Sequence, residues 1–324
     1  MTIKRLLLVL AMVASLALLV AACGDDDEGG AANGGATEES SGGGDLSGTI
    51  KIDGSSTVFP FAQAAGELFN EENPDVKVTV GSSGTGGGFE KFCANETDIS
   101  DASRPIKEDE EAPVCADAGV EYEEVQVAND GIAVVTNKNL TVDCLTTAQL
   151  KKIWQPKSKV ANVSEVGGPD GKLELFGPGT DSGTFDFFTD KINGEEGASR
   201  EDYQASEDDN QLVTGVAGTD GGLGYFGFSY FEANQDKLNL VGVGEDESSC
   251  VKPSMETIQD GSYFLSRPLF MYPSDKALER PEVRAFMEFV VQNAADIAEA
   301  SKIVPMTDEQ ATESKDEVAS LAGS

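Results

Sequence analysis

Thr49-Ile50-Lys51-Ile52-Asp53-Gly54-Ser55-Ser56-Thr57-Val58-Phe59-Pro60-Phe61 carries the pattern that decides the fold. Thr49-Ile50-Lys51-Ile52 reads as a strand, and Gly54-Ser55-Ser56-Thr57 supplies the small polar residues of a turn. Pro60 suits the first turn of a helix. Phe61, Ala65, Leu68 and Phe69 then recur at helical spacing until Asn73-Pro74 ends the run, and Val76, Val78 and Val80 alternate as the next strand.

The same order returns twice. Gly81-Ser82-Ser83-Gly84-Thr85-Gly86-Gly87-Gly88-Phe89 follows the Val80 strand, and Gly177-Pro178-Gly179-Thr180-Asp181-Ser182-Gly183-Thr184-Phe185 follows Leu173-Glu174-Leu175-Phe176. The two loops overlay without gaps, placing Gly81 on Gly177, Gly87 on Gly183, Phe89 on Phe185 and Phe92 on Phe188. Strands that alternate with amphipathic helices predict α/β lobes. Towards the C-terminus Leu269-Phe270-Met271-Tyr272 reads as a buried strand, and Pro281 opens one long helical pattern through Val283, Phe286, Val290 and Ile297.

Three loops of Gly, Ser and Thr, each at the start of a helix, form one chemical device. First-turn N–H groups are unpaired and point outward, where the helix dipole favours negative charge. Small residues admit an anion close to the backbone, and hydroxyls donate without adding charge. This predicts an oxyanion site. The loop ending at Gly88 lacks the Gly-Lys-Ser/Thr close of a nucleotide loop, and Asp181-Ser182-Gly183 is not a hydrolase nucleophile elbow.

The 324 residues include no histidine, which removes Ser-His-Asp and Cys-His chemistry and the commonest metal ligand. The formal net charge of −35 disfavours nucleic acid as a partner, because phosphate backbones need basic faces. An anion site in such a chain must work through local dipoles and directed donors.

The N-terminus reads as an address. Residues 1–22 hold Lys4, Arg5 and an apolar run from Leu6 to Val20, too short to span a bilayer at about 20 residues. Val20-Ala21-Ala22-Cys23 resembles the lipobox of bacterial lipoproteins, which predicts cleavage before Cys23 and a lipid on its thiol. Residues 23–47 are acidic, Gly- and Ser-rich, and predict a flexible tether to the outer face of a membrane. The four other cysteines allow three pairings. Cys93 with Cys115 and Cys144 with Cys250 are the pairs expected in an oxidising compartment.

Taken in order, Gly54 to Pro60, the loop through Gly88, Asp98-Ile99-Ser100-Asp101-Ala102-Ser103-Arg104-Pro105-Ile106, Gly179 to Phe185 and Gly218 to Phe228 resemble the periplasmic phosphate-binding proteins of the PstS type. The resemblance spans residues 48–306. It implies a type II periplasmic-binding-protein fold of two α/β lobes, with inorganic phosphate held in the cleft between them and no catalysis, cofactor or metal. The lobes are expected at residues 48–128 with 263–324, and at 129–262. The implied partner is the ABC permease of a phosphate importer, served by a monomer. The same fold holding sulfate or molybdate, a phosphate-sensing surface protein, and a secreted phosphatase are the rivals.

The resemblance implies ligand contacts from Ser56, Thr57 and the Val58 backbone, from Ser83, Gly84 and Thr85, and from Ser182, Gly183 and Thr184. The family's third-loop Asp falls on Ser103, and the position of its Arg on Pro178. The charged pair is therefore expected in exchanged lobes, as Arg104 and Asp181. The alternative has Arg104 in a surface ion pair and Asp181 capping the next helix. An ionised Asp accepts the hydrogen of monoprotonated phosphate and repels sulfate, which has none to give. Phe185, Phe187, Phe188 and Trp154 read as core, and Asp208-Asp209 as solvated surface.

Overall fold

The computed structural model describes residues 46–180 and 182–321; the expected leader, Cys23, nearly all of the tether and Asp181 lie outside the described residues. In the first lobe β1 (Gly48–Gly54), α1 (Phe59–Glu72), β2 (Val76–Val80), α2 (Gly84–Cys93) and β3 (Ile99–Ala102) form parallel strands joined by helices. After α3 (Ala112–Asp117) the chain enters β4 (Val125–Asn137), which leads into the second lobe.

There β5 (Cys144–Thr146), α4 (Thr147–Trp154), β6 (Glu174–Gly177), α5 (Gly183–Phe188), β7 (Gln204–Ala205), α6 (Asp209–Gly218), β8 (Gly222–Gly227), α7 (Phe228–Glu232), β9 (Leu238–Gly244) and α8 (Met255–Gln259) follow. The return is β10 (Ser266–Pro273), then α9 (Asp275–Leu278), α10 (Pro281–Gln292), α11 (Ala294–Ser301) and α12 (Asp308–Leu321).

The strand order β2-β1-β3-β10-β4-β8-β6-β7 makes one sheet run through both lobes. β4 is the reason. Its first half pairs antiparallel with β10, and its second half, from Ile132, pairs with β8 and β9. The burial pattern changes owner at the same place. Val125, Val127 and Ala128 pack with Ile50, Ile52, Phe61, Phe69 and Phe286 in one core, whereas Ile132 to Val135 pack with Trp154, Phe188, Leu223 and Tyr225 in another. At the start of β10 the same change falls between Leu265, just before the strand, and Leu269 within it. Two lobes therefore share two strands, and the cleft opens over the crossing.

Local chemistry explains the element ends. Ile50 and Ile52 point inward by the two-residue period of a strand, while Lys51 between them is exposed. Gly54 has φ +152, and a Cβ there would overlap the Asp101 carbonyl, whose oxygen accepts the Ser55 N–H at 2.9 Å. The helix expected to run on from Pro281 is broken at Asn293. Its side chain donates to the Phe289 carbonyl at 2.8 Å, and that carbonyl also takes the Asn293 N–H, so the helix restarts at Ala294. Cys93 is bonded to Cys115 and Cys144 to Cys250.

Candidate functional site

A cleft of about 700 Å³ lies between the lobes. Of the residues singled out from sequence, Ser56, Thr57, Ser83, Gly84, Thr85, Ser103, Arg104 and Gly183 line it. The loops after β1 and β6 touch across it so closely that a Cβ on Gly183 would overlap Thr57 Oγ1, Thr57 N and Ser56 Oγ. Only glycine permits that approach.

Several expected donors are engaged elsewhere. The Val58 N–H turns onto the Ser55 carbonyl (3.1 Å) and the side chain is buried, so Val58 presents neither to the cleft. The Thr57 N–H goes to Ser55 Oγ (3.2 Å). Ser182 is the N-cap of α5, and its hydroxyl accepts the Thr184 N–H at 3.2 Å. Ser83 gives its N–H and its hydroxyl to Asp53 Oδ1 at 3.0 and 2.6 Å, which shapes the loop leading to Thr85. Burial works to raise the Asp53 pKa, but Lys91 at 2.6 Å and Ser83 prevail and hold it below the ordinary value. Ser56 donates to Asp186 Oδ2 at 3.3 Å.

The centre is made by a residue that sequence reasoning missed. Arg267, at the start of β10, donates through Nη1 to Ser103 Oγ (2.9 Å) and through Nη2 to Thr57 Oγ1 (2.6 Å) and the Gly183 carbonyl (3.2 Å). Its Nε meets Asp130 Oδ2 at 3.1 Å, and its guanidinium lies 3.9 Å over the Phe187 ring. Ser103 N–H donates to Thr85 Oγ1 (3.2 Å), and the two hydroxyls stand 3.1 Å apart.

The consequence is directional. A hydroxyl that accepts from a guanidinium has its hydrogen left to give. Thr57 and the Thr85–Ser103 pair therefore present O–H donors backed by a fixed cation, which is an arrangement for an anion rich in acceptors. Burial lowers the Arg267 pKa from its usual value while Asp130 opposes that shift.

Arg104 reaches the wall, but its fork is held by Glu111 at 2.8 and 2.7 Å and by the Pro105 carbonyl. The Glu111 bond raises its pKa against the effect of burial. This ion pair is the alternative posed from sequence. Phe187 is buried in the second core as expected, and one face of its ring also carries Arg267 at the cleft. Trp154 is fully buried, edge-on to Phe188 and Tyr225. Asp208 is exposed and caps α6, whereas Asp209, read from sequence as solvated, is half-buried and accepts the Gly227 N–H.

The faint signal for Arg267 was its place beside the buried Leu269–Tyr272 run; a cation abutting such a strand needs a partner, and Asp130 lies between the apolar stretches Val125–Ala128 and Ile132–Val135. Among the described residues no His, Cys, Asp and Glu cluster could hold a metal ion.

Comparison with known proteins agrees with the two-lobed fold. Residues 39–294 match a family described as PBP superfamily domain. SphX of Synechococcus elongatus is 44% identical over 79% of this chain and 77% of its own. The phosphate-binding protein PstS of Staphylococcus saprophyticus is 40% identical over 85% of this chain and 86% of its own. A crystal structure from Planctomyces limnophilus, described as that of a possible phosphate binding protein, is 46% identical with a TM-score of 0.80, covering 85% of this chain and 99% of that one. The chain belongs to the PBP superfamily. Within it, the chain stands with the proteins of the PstS type.

Proposed function

We propose that this protein captures inorganic phosphate in the interlobe cleft and delivers it to the permease of an ABC importer, without catalysing a reaction. The observation that carries this reading is the Arg267 guanidinium, which meets Thr57 and Ser103 of one lobe and the Gly183 carbonyl of the other within a single cleft. PstS-type relatives support the choice of phosphate among oxyanions.

Phosphate would take hydrogen bonds from Thr57, Thr85 and Ser103, with further donors from the loop at Gly183 and the charge of Arg267 behind them. Arg104 would act from the rim. Asp181, directly before the Ser182 cap, is the carboxylate we assign to accept the phosphate hydrogen. Residues 48–128 with 263–324 would close as one body on residues 129–262. Cleavage before Cys23 and lipidation of its thiol would hold a monomer at the outer face of a membrane, within diffusional reach of the permease.

Calorimetric titration of the domain from residue 46 with phosphate tests the reading, with sulfate and molybdate as competitors. Saturable phosphate binding that excess sulfate does not displace is the expected result. Preference for sulfate or molybdate would reassign the ligand, and no heat with any of them would remove the reading.

A further inference from the structure

Among the described residues three segments connect the two cores, and two of them are strands of the sheet. The third is the stretch between α11 and α12. Ile303 packs against the first core, the adjacent Val304 is buried in the second, and Val318 of α12 returns to the first. Val304 is bridged to Asn129 in the middle of β4, with Asn129 N–H to Val304 O at 2.8 Å and Val304 N–H to Asn129 O at 3.1 Å.

The side chains around that bridge are cross-linked. Asn129, 2% exposed, donates through Nδ2 to the Pro305 carbonyl (3.3 Å) and to Gln310 Oε1 (3.0 Å), and accepts from Gln126 (3.0 Å). From the second lobe, Gln259 of α8 donates to the same Pro305 carbonyl at 2.9 Å. Gln310 Nε2 donates to the Gln259 carbonyl at 3.2 Å. One carboxamide therefore bonds the crossing strand with its oxygen and the second lobe with its nitrogen. Asn129 also precedes Asp130, and successive side chains on a strand leave opposite faces. The strap thus grips the back of the strand whose front holds Arg267.

We infer that Asn129 and Gln310 are positioning residues that hold the hinge of β4, and that the strap from Ile303 to Gln310 favours the closed arrangement in which Gly183 meets Thr57. Its hydrogen bonds are all made with the lobes in contact. Opening changes the angle between β4 and α8, which Gln310 spans. Releasing Gln310 raises the open fraction, and a ligand bound across the lobes then escapes faster.

The test compares Gln310→Ala with Ser314→Ala. Ser314 ties α12 to the Gln126 carbonyl of the first-lobe half of β4 (2.8 Å) and to its own helix, without reaching α8. Small-angle scattering of the unliganded proteins reads the hinge directly. Stopped-flow release of phosphate reads its consequence, and only this arm rests on the phosphate reading. Gln310→Ala is expected to enlarge the unliganded radius of gyration and to speed release about tenfold, while Ser314→Ala lowers the melting temperature without either change. Gln310→Glu, which keeps the acceptor for Asn129 and removes the donor to Gln259, should give the same hinge effect if the alanine variant does not fold. Scattering unchanged in Gln310→Ala (or in Gln310→Glu, where that stands in), or an equal effect of Ser314→Ala, overturns the inference. Should the parent bind no phosphate, scattering alone decides.

Discussion

Arg267 and Asp130 face one another across the β10–β4 pair, in register and joined Nε to Oδ2 at 3.1 Å, at the place where both strands pass from one lobe to the other. The cation that organises the cleft is thus mounted on the hinge and not on either lobe's binding loops. Their side chains are 13% and 11% exposed, so the pair is largely withdrawn from solvent and each partner compensates the other's desolvation. Nε fixes the plane of the guanidinium, and the two terminal nitrogens are left to address Thr57, Ser103 and Gly183. Closing the lobes brings Gly183 to a cation that the first lobe already holds.

That division of labour ranks the two arginines of the cleft. Arg267→Ala removes a charge-assisted contact worth about 1.5–3 kcal/mol, or roughly ten- to hundredfold in phosphate affinity. Arg104→Ala should cost less than Arg267→Ala, because its fork is held by Glu111. Arg267→Lys should recover little, since one ammonium cannot span Ser103 and Thr57 while keeping Asp130. Calorimetry of the three variants checks the order. A larger loss from Arg104→Ala would move the ligand to the rim.

The approach of the two loops gives a second expectation. Gly183→Ala places a methyl group against Thr57 N and the hydroxyls of Thr57 and Ser56, and the backbone nitrogen cannot yield as a flexible side chain can. Closure should stall, so phosphate affinity falls at least about tenfold and small-angle scattering shows no compaction on adding phosphate. Compaction like that of the parent would mean that the loops separate in the liganded state.

What could be read in advance follows the range of the interactions involved. Pro60, Asn73-Pro74 and the alternating Val76, Val78 and Val80 are local signals, and α1 and β2 lie where they put them. The Gly, Ser and Thr loops were legible because helix starts have a local composition, and Ser55 to Thr57, Ser83 to Gly87 and Gly183 meet in one cleft. Arg267 and Asp130 are 137 residues apart, and no local pattern announces a cross-strand pair. Ser83, Val58 and Thr184 carried the right composition, yet the N–H groups of Val58 and Thr184 are engaged within their own turns and both Ser83 donors go to Asp53, which only the folded chain shows. The boundary expected at residue 129 falls inside β4, a strand buried almost throughout and shared by both lobes, where Asn129-Asp130-Gly131 interrupts the apolar run.

Selectivity is the test for Asp181. Monohydrogen phosphate offers an O–H that an ionised carboxylate accepts, and sulfate offers none and is repelled. Asp181→Asn removes the charge and adds a donor, so phosphate should weaken while sulfate gains. Competition calorimetry should show the phosphate-over-sulfate ratio narrowed by about tenfold or more, in line with the 1–3 kcal/mol of a mismatched buried polar contact. An unchanged ratio would exclude Asp181 from contact with the ligand's hydrogen.

Asp209 gives the protein a pH dependence opposite in sign to that of its paired carboxylates. Burial pushes its pKa from 3.8 up to about 6, against the Gly227 N–H that favours ionisation, with Asp208, Asp130 and Glu207 adding repulsion. The folded state therefore holds this proton more tightly than the unfolded chain. Its contribution to stability is complete below the unfolded value near 3.8 and is lost as pH rises to about 6. Asp101, fully buried with neither carboxyl oxygen paired among the described residues, shifts the same way through burial and then Asp53. Asp53 and Glu111, held below their ordinary values by Lys91 and Arg104 against the pull of burial, lose stability in the opposite direction, as pH falls. Melting temperatures of the parent and Asp209→Asn between pH 4 and 7 separate the two. The variant should gain on the parent as pH rises through that window, by at most about 3 kcal/mol for a shift of two pH units, less because Asp209 is partly solvated. A constant difference across the window would mean that Asp209 titrates alike in the folded and unfolded chain.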